Sequence, residues 1–180
     1  MKQRHRMRGT VETTLPIFLP WALLGICCLL SCYSFSARTS THITSVAVPF
    51  FENRTNRYGL DDQLTAAVAQ GFLEDGALKV VDEGEADSVL RGSITEYTRK
   101  AAVFDEIENV TKVRVVITLD VSYRDLLTGN IVWEQKGLSQ WGEYRPIASD
   151  DDPAETEEDG QNEAIQKIVQ DILARSIETW

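Results

Sequence analysis

The sequence is poor in the side chains that most catalytic and metal sites use. Cysteine occurs only at Cys27, Cys28 and Cys32, and histidine only at His5 and His42. The chain contains no glycine-rich phosphate loop, no GxSxG turn and no HExxH zinc motif. A metal site built from the three cysteines would lack histidine partners nearby. These shortages argue against catalysis through histidine and against a structural metal centre.

Carboxylates are abundant, and Glu96 and Asp120 fall on predicted strands that could bring them together. Acidic side chains on the wet face of a sheet are far more often solvated than catalytic. Serine nucleophiles also lack a histidine base. We therefore predict that the protein is not an enzyme, has no catalytic residues and requires neither a cofactor nor a metal.

The N-terminal segment has the layout of a secretory signal. A basic start precedes an apolar run over residues 15–30, which is a little short of the roughly 20 apolar residues of a spanning helix. The run closes on Leu29-Leu30-Ser31-Cys32, which resembles the bacterial lipobox that directs diacylation of the cysteine and cleavage before it. We predict a removed signal peptide over 1–31, lipidation of Cys32 and a tether over 32–42. A single-pass anchor is the alternative.

The chain that remains after cleavage is acidic. Residues 1–31 carry four basic residues and one acid, so their removal leaves 14 Lys and Arg against 27 Asp and Glu, a formal charge of −13. This balance excludes nucleic acid as a partner and favours lipid over electrostatic attraction as the tether to a membrane. Cys32 would be the only cysteine left. The acidic segment 150–159 matches no calcium loop and indicates a solvated loop before a helix.

Hydrophobic periodicity predicts a single α+β domain over residues 43–180. Alternation from Val113 to Tyr123 indicates a long strand with one buried face, and apolar residues at helical spacing indicate two helices. The predicted strands are 44–51, 77–82, 88–99, 113–125 and 131–136 continuing toward Tyr144; the predicted helices are 60–75 and one from Pro153 or Gln161 to Trp180. These elements predict a two-layer sandwich with both helices on one face of a mixed, mostly antiparallel sheet of four to five strands.

Basic residues occupy exposed positions on the long strands of this otherwise acidic chain. They are Arg91, Arg99, Lys100, Arg114, Arg124 and Lys136. Cross-strand ion pairs with Glu96, Asp120 and Glu134 are one explanation, and a local patch for an anionic ligand is the other. The large aromatic residues are expected in the core or packed across the hairpin rather than in a sugar-binding platform. They are Trp133, Trp141, Tyr144 and Trp180.

Four stretches together resemble the LptE family of lipopolysaccharide-assembly outer-membrane lipoproteins. They are residues 32–36 (CYSFS), 46–55 (VAVPFFENRT), 86–94 (ADSVLRGSI) and 121–134 (VSYRDLLTGNIVWE), and their order and spacing carry the resemblance. It implies a plug inside an LptD-type β-barrel that supports barrel assembly, binds lipopolysaccharide and helps deliver it to the outer leaflet. Tyr33, rather than Asp, after the lipidated cysteine implies release to the outer membrane. From their strand placement, we predict Arg91, Arg114 and Lys136 as ligand-binding residues.

Two other classes of protein remain open from the sequence. A ring-forming outer-membrane lipoprotein subunit of a polysaccharide or curli exporter would have a similar build, and a tethered hydrolase would have a similar anchor. Stoichiometry separates the first from the plug, because a ring contains many copies of one chain. The absence of a nucleophile–base pair argues against the hydrolase.

Overall fold

The structure is a computed structural model, and it describes residues 42–104, 109–148 and 152–177. The elements in chain order are β1 (Ser45–Ala47), β2 (Glu52–Asn53), α1 (Leu60–Asp75), β3 (Lys79–Val80), β4 (Ser88–Phe104), β5 (Val110–Asp125), β6 (Ile131–Tyr144) and α2 (Glu157–Ile177). Cys32 and Trp180 lie outside the described residues. In the part of the chain that is described, no helix combines the length and the apolar character needed to cross a membrane.

Five strands form one sheet in the order β3-β1-β4-β5-β6, and the short β2 pairs with β4 off this path. β1 runs parallel to β3 and β4, and β2 runs parallel to β4, whereas β4, β5 and β6 are antiparallel. Both helices pack on this mixed sheet in a second layer. The predicted α+β sandwich is therefore confirmed, while β2 lies in a segment predicted as loop.

Strand β5 explains why the helices share one face of the sheet. Its alternation is nearly perfect, so every second side chain is buried under the helices and the intervening polar ones face outward. Burial of apolar area is the main driving force for this arrangement. The buried residues of β5 are Val115, Ile117, Leu119, Val121 and Tyr123, and they meet Leu64, Val68 and Phe72 of α1 and Ile165, Ile168 and Ile172 of α2 in one core.

The helix ends follow local capping chemistry. The predicted first helix, residues 60–75, is confirmed, and Gly76 ends it with φ 73° while its N–H donates to the Phe72 carbonyl. Helix α2 begins at Glu157, between the two predicted starts. Thr156 and Asp159 explain that position, because the Asp159 carboxylate accepts from the Thr156 amide at 2.7 Å and the Thr156 hydroxyl accepts from the Asp159 amide.

Two of the five register irregularities in the long strands bear on the position of charged side chains. The register of β4 against β5 shifts between Ile94 and Glu96, so Arg99 pairs with buried Val115 on the helix side of the sheet. Arg99 is exposed, as predicted, but it lies on the opposite side of the sheet from Arg91. The second shift lies in β6 at Gly137, which has φ 65° and donates its N–H to Asp120 Oδ1 at 2.8 Å.

Candidate functional site

A groove of about 360 Å³ crosses the face of the sheet that is opposite the helices. Its walls come from the segment after β1 and from strands β4, β5 and β6. The lining residues are Pro49, Phe50, Glu52, Arg91, Gly92, Ser93, Asp120, Val121, Ser122 and Glu134. Six of these residues are polar or charged, and the apolar part of the lining includes the aromatic ring of Phe50, which is 78% exposed. The groove thus offers an apolar surface beside charged groups.

The exposure of Phe50 follows from the burial of its neighbour. Phe51 is buried, and its ring packs on Gly92 so closely that a Cβ at residue 92 would come within 2.5 Å of the ring. Because successive side chains of an extended chain point to opposite sides, burying Phe51 directs Phe50 outward. Glycine at position 92 therefore allows Phe51 to be buried, and the burial of Phe51 leaves Phe50 exposed in the groove.

Of the three predicted ligand-binding residues, one lines this groove and a second contacts one of its lining residues. Arg91 lines it from β4 and forms an ion pair with Glu83. Lys136 stands at the bulge of β6, where its Nζ lies 3.8 Å from Oε1 of Glu134, a residue of the lining. Both cationic heads are largely exposed, so water screens their ion pairs and little free energy is needed to exchange the partner.

Arg114, the third predicted residue, lies elsewhere on the same face. It is eight residues from Ser122 along β5, which corresponds to roughly 27 Å at about 3.4 Å per residue. Its guanidinium pairs with Glu143 at 2.7 Å and stacks on the ring of Trp141 at 4.0 Å. Lys167 approaches the same ring at 4.1 Å. The structure therefore joins Arg114 to a cation–aromatic cluster and not to the groove.

The ion pairs of the sheet only partly match those predicted. Glu134 pairs with Lys136 on its own strand and not across strands, and Asp120 accepts a backbone N–H from Gly137. Arg91 forms an ion pair with Glu83, and Arg114 forms one with Glu143; neither acid was predicted as a partner. At the groove's edge, the hydrogen bond from Arg54 lowers the pKa of the Glu52 carboxyl, so that acid stays ionised at neutral pH.

The aromatic residues divide between the core and the surface. Trp133 packs with Tyr123 at a centroid distance of 6.2 Å, and Tyr144 packs against the core, both as predicted. Trp141 is instead 39% exposed, and its ring is approached by two cations. No group of three His, Cys, Asp or Glu side chains within the described ranges is arranged to hold a metal ion.

A second polar cluster, on the helix side, has no counterpart in the sequence predictions. The Glu157 carboxylate accepts hydrogen bonds from the Tyr97 hydroxyl and from Arg99, each at 2.7 Å, and lies 3.3 Å from Arg57. Burial opposes ionisation of Glu157, but the bonds from Tyr97 and Arg99 outweigh it and lower its pKa. Burial together with the nearby carboxylate raises the pKa of Tyr97. The cluster ties strand β4 and the loop before α1 to the start of α2.

The acidic segment before α2 is partly organised by one arginine. Arg145 pairs with Asp152 at 3.1 Å and with Glu155 at 2.9 Å, and its amide donates to Glu155. Residues 149–151 lie outside the described residues. Within the described part, the segment therefore connects β6 to α2 through ion pairs and is more than a solvated loop.

Comparison with known proteins gives a family and a fold. The family model described as "LptE: Lipopolysaccharide-assembly" matches residues 43–176, and no curated protein sequence matches the chain. Protein XCC0632 from Xanthomonas campestris has a TM-score of 0.51 at 12% identity, covering 74% of this chain and 83% of that chain. The hypothetical protein CT253 from Chlamydia trachomatis has a TM-score of 0.51 at 9% identity, covering 76% and 99%. These two likenesses concern the fold alone.

A third solved structure is more distant. The PelC dodecamer from Paraburkholderia phytofirmans aligns with a TM-score of 0.49 at 16% identity, covering 73% of this chain and 86% of that chain.

Proposed function

This chain belongs to the LptE family of lipopolysaccharide-assembly proteins, and we propose that it binds lipopolysaccharide while plugging and supporting an LptD-type β-barrel. The family works in lipopolysaccharide assembly at the outer membrane of the Gram-negative envelope and is not enzymatic. The match over residues 43–176 is the observation that carries the proposal, because it spans every described element of the fold except the last residue of α2.

The lipid anchor is the first part of the proposal. Cys32 would be acylated after removal of residues 1–31, and residues 32–42 would tether the domain to the periplasmic side of the outer membrane. Support comes from the lipobox-like Leu29-Leu30-Ser31-Cys32 at the end of an apolar run. Several acyl chains on one residue provide stable anchoring, since each buried CH₂ contributes about 0.8 kcal/mol.

The groove opposite the helices is the proposed lipopolysaccharide site. Lipopolysaccharide presents phosphate groups next to acyl chains, and the groove presents Arg91 beside the exposed ring of Phe50, with Lys136 paired to Glu134 of its lining. Guanidinium groups bind phosphate through paired N–H donors, and an aromatic face covers hydrocarbon. Arg114 is not part of the proposed site, because it is held in the Trp141 cluster.

The exposed end of the hairpin formed by β4 and β5 is evidence in favour of a barrel partner. These strands are the longest of the sheet, and they extend past the core to exposed Val103 and Phe104. Ile147 is also exposed. It comes just after β6, at the end of that strand which pairs with the start of β5. Apolar side chains exposed around one end of a small domain are typical of a protein contact surface.

Purification of the intact lipoprotein from outer membranes in mild detergent tests the proposal. We expect a one-to-one complex with a β-barrel protein and retention of lipopolysaccharide. The Cys32→Ala variant, matched in expression, should leave the membrane fraction and lose the acyl label. Recovery of no barrel would refute the plug, and a self-assembled ring of many copies would support the exporter subunit instead.

A further inference from the structure

The point where the proposed tether enters the domain is tied to one turn of the sheet. His42 lies ten residues after Cys32, and its Nε2 is 2.9 Å from Oδ2 of Asp125. Asp125 is the last residue of β5 and is only 3% exposed. Since this carboxylate is ionised at neutral pH, the imidazole N–H donates the bond. The tether therefore meets the domain at the β5–β6 turn.

The same aspartate shapes this turn. Its carboxylate accepts hydrogen bonds from the amides of Leu127 and Thr128 at 2.8 and 3.2 Å and from the Thr128 hydroxyl at 2.7 Å. The amide of Leu126 donates to the Asp87 carbonyl at 2.8 Å, which joins the turn to the segment before β4. These hydrogen bonds define the conformation of the turn, and its two leucine side chains are exposed.

Three apolar side chains of the turn are exposed. Leu127 is 77% exposed, Ile131 at the start of β6 is 47% exposed, and Leu126 is 37% exposed. Ile131 pairs in register with Arg124, at the base of the same turn. Leucine side chains are not needed for the turn itself, whose hydrogen bonds come from Asp125 and the backbone. Their exposure at the tethered end of the domain requires another explanation.

We propose that the β5–β6 turn is a membrane-contacting tip, in which Leu126, Leu127 and Ile131 enter the interfacial layer of the bilayer that holds the acyl chains of Cys32. The inference rests on the lipid anchor of the proposed function. Ten residues span at most roughly 35 Å, so the tether keeps the turn within that distance of the bilayer. Attachment of this kind raises the effective concentration of the turn at the surface.

Charge at this end of the domain favours insertion of apolar groups over attraction to anionic lipid, because the exposed Arg124 of the turn donates to the Gly129 carbonyl and acids lie nearby. The acids Glu83 and Glu85 are exposed in the segment before β4 that the turn contacts through Asp87. With a formal charge of −13 for residues 32–180, the domain gains nothing from an anionic surface. The expected surface is therefore zwitterionic, and contact with it should be insensitive to salt.

Depth-dependent fluorescence quenching of the intact lipoprotein tests the tip. The mature chain has no other free thiol if Cys32 is acylated, so Leu127→Cys can be labelled with an environment-sensitive fluorophore and reconstituted in phosphatidylethanolamine–phosphatidylcholine vesicles with nitroxide acyl chains. Ile131→Cys is the second labelling site. Ile147→Cys is the matched control, because Ile147 is 62% exposed but follows the opposite end of β6. Circular dichroism verifies the fold of each variant.

Residues 127 and 131 should be quenched at least about twofold more than residue 147, as for side chains at the headgroup–acyl boundary. Equal quenching at the three positions, or none at 127 and 131, would overturn the tip while vesicle flotation still reports an intact anchor. Loss of flotation itself would refute the anchor and the tip together. Shielding of residue 127 only when the barrel is co-reconstituted would assign the turn to the protein partner and refute the lipid contact.

Discussion

Gly142 of β6 lies directly against the backbone of Gly160 in α2. A methyl group at residue 142 would collide with the Gly160 carbonyl oxygen and would come within 2.7 Å of Cβ of Glu163 and 2.9 Å of the Ala164 amide nitrogen. The obstacles are mostly backbone, so no side-chain rotation relieves them. This contact sets how closely the second helix approaches the edge of the sheet.

Gly142→Ala should therefore destabilise the domain. Overpacking of a close contact costs about 1–3 kcal/mol, which corresponds to a Tm lower by several degrees. Thermal unfolding followed by circular dichroism measures the change. Gly84→Ala is the control, because a Cβ there meets nothing within 4 Å. Similar Tm values for the two variants would show that the helix can move away from β6 freely.

Glu157→Gln should loosen the start of α2. The substitution removes the negative charge shared by Arg57 and Arg99 but keeps an acceptor for the Tyr97 hydroxyl. Hydrogen bonds to charged groups contribute about 1.5–3 kcal/mol, and partial exposure here reduces that to about 1 kcal/mol. The exposed neighbour Glu158→Gln is the control. In urea unfolding, Glu157→Gln should have a lower midpoint than Glu158→Gln. Equal midpoints would contradict the structural role of Glu157.

Asp125→Asn should make the free energy of unfolding of the domain vary less with pH in the acidic range. Burial opposes ionisation of Asp125, but hydrogen bonds from Thr128, His42 and Leu127 outweigh it and lower its pKa from 3.8 to about 2. Because the folded pKa lies below the unfolded one, this stabilisation is present above about pH 4 and is lost as the pH falls toward 2.

At pH 7 the Asp125→Asn variant should be less stable by about 1–3 kcal/mol. The difference from the unsubstituted protein should shrink between pH 4 and pH 2. Urea titrations at several pH values measure it, with the exposed Asp82→Asn as control. A difference that stays constant over this range would show that the Asp125 carboxylate does not stabilise the turn through its charge.

Binding of lipopolysaccharide should depend on Arg91 and Lys136 more than on Arg114. The first lines the groove, the second contacts one of its lining residues, and the third is held in the Trp141 cluster. Loss of each phosphate contact should weaken binding by roughly tenfold, as for charge-assisted hydrogen bonds. Arg91→Ala with Lys136→Ala should therefore reduce affinity and its salt dependence, whereas Arg114→Ala should mainly lower the Tm. Equal losses of affinity would mean that the groove is not the binding site.

Local pattern was sufficient to predict most elements of the fold. The repeat of Leu60, Leu64, Val68 and Phe72 and the terminal Gly76 predict the first helix with its observed bounds. The alternation from Val113 to Tyr123 predicts the central strand, because a period of two leaves only one face apolar. The predicted first strand, residues 44–51, is too long, because Phe50 and Phe51 lie beyond its end at Ala47, with Phe51 buried and Phe50 exposed.

Register could not be predicted from local pattern. The shift after Ile94 moves Arg99 to the helix side of the sheet, and that shift depends on how β4 pairs with β5. The tripartite contact of Arg57, Tyr97 and Glu157 joins a loop, a strand and a helix that are up to 100 residues apart in the chain. No spacing rule connects such residues.

The sequence by itself determined the α+β layout and which residues carry charge on the long strands. It also determined the scarcity of histidine and cysteine, the usual ligands of structural metal sites. Only the tertiary structure decided which of those charges meet. Arg91 lines the groove from β4, and Lys136 contacts the groove residue Glu134 from the bulge of β6, on the other side of β5. Arg114, on the same face, lies roughly 27 Å away along β5. Strand pattern assigns a face to each side chain, and pairing register assigns its neighbours.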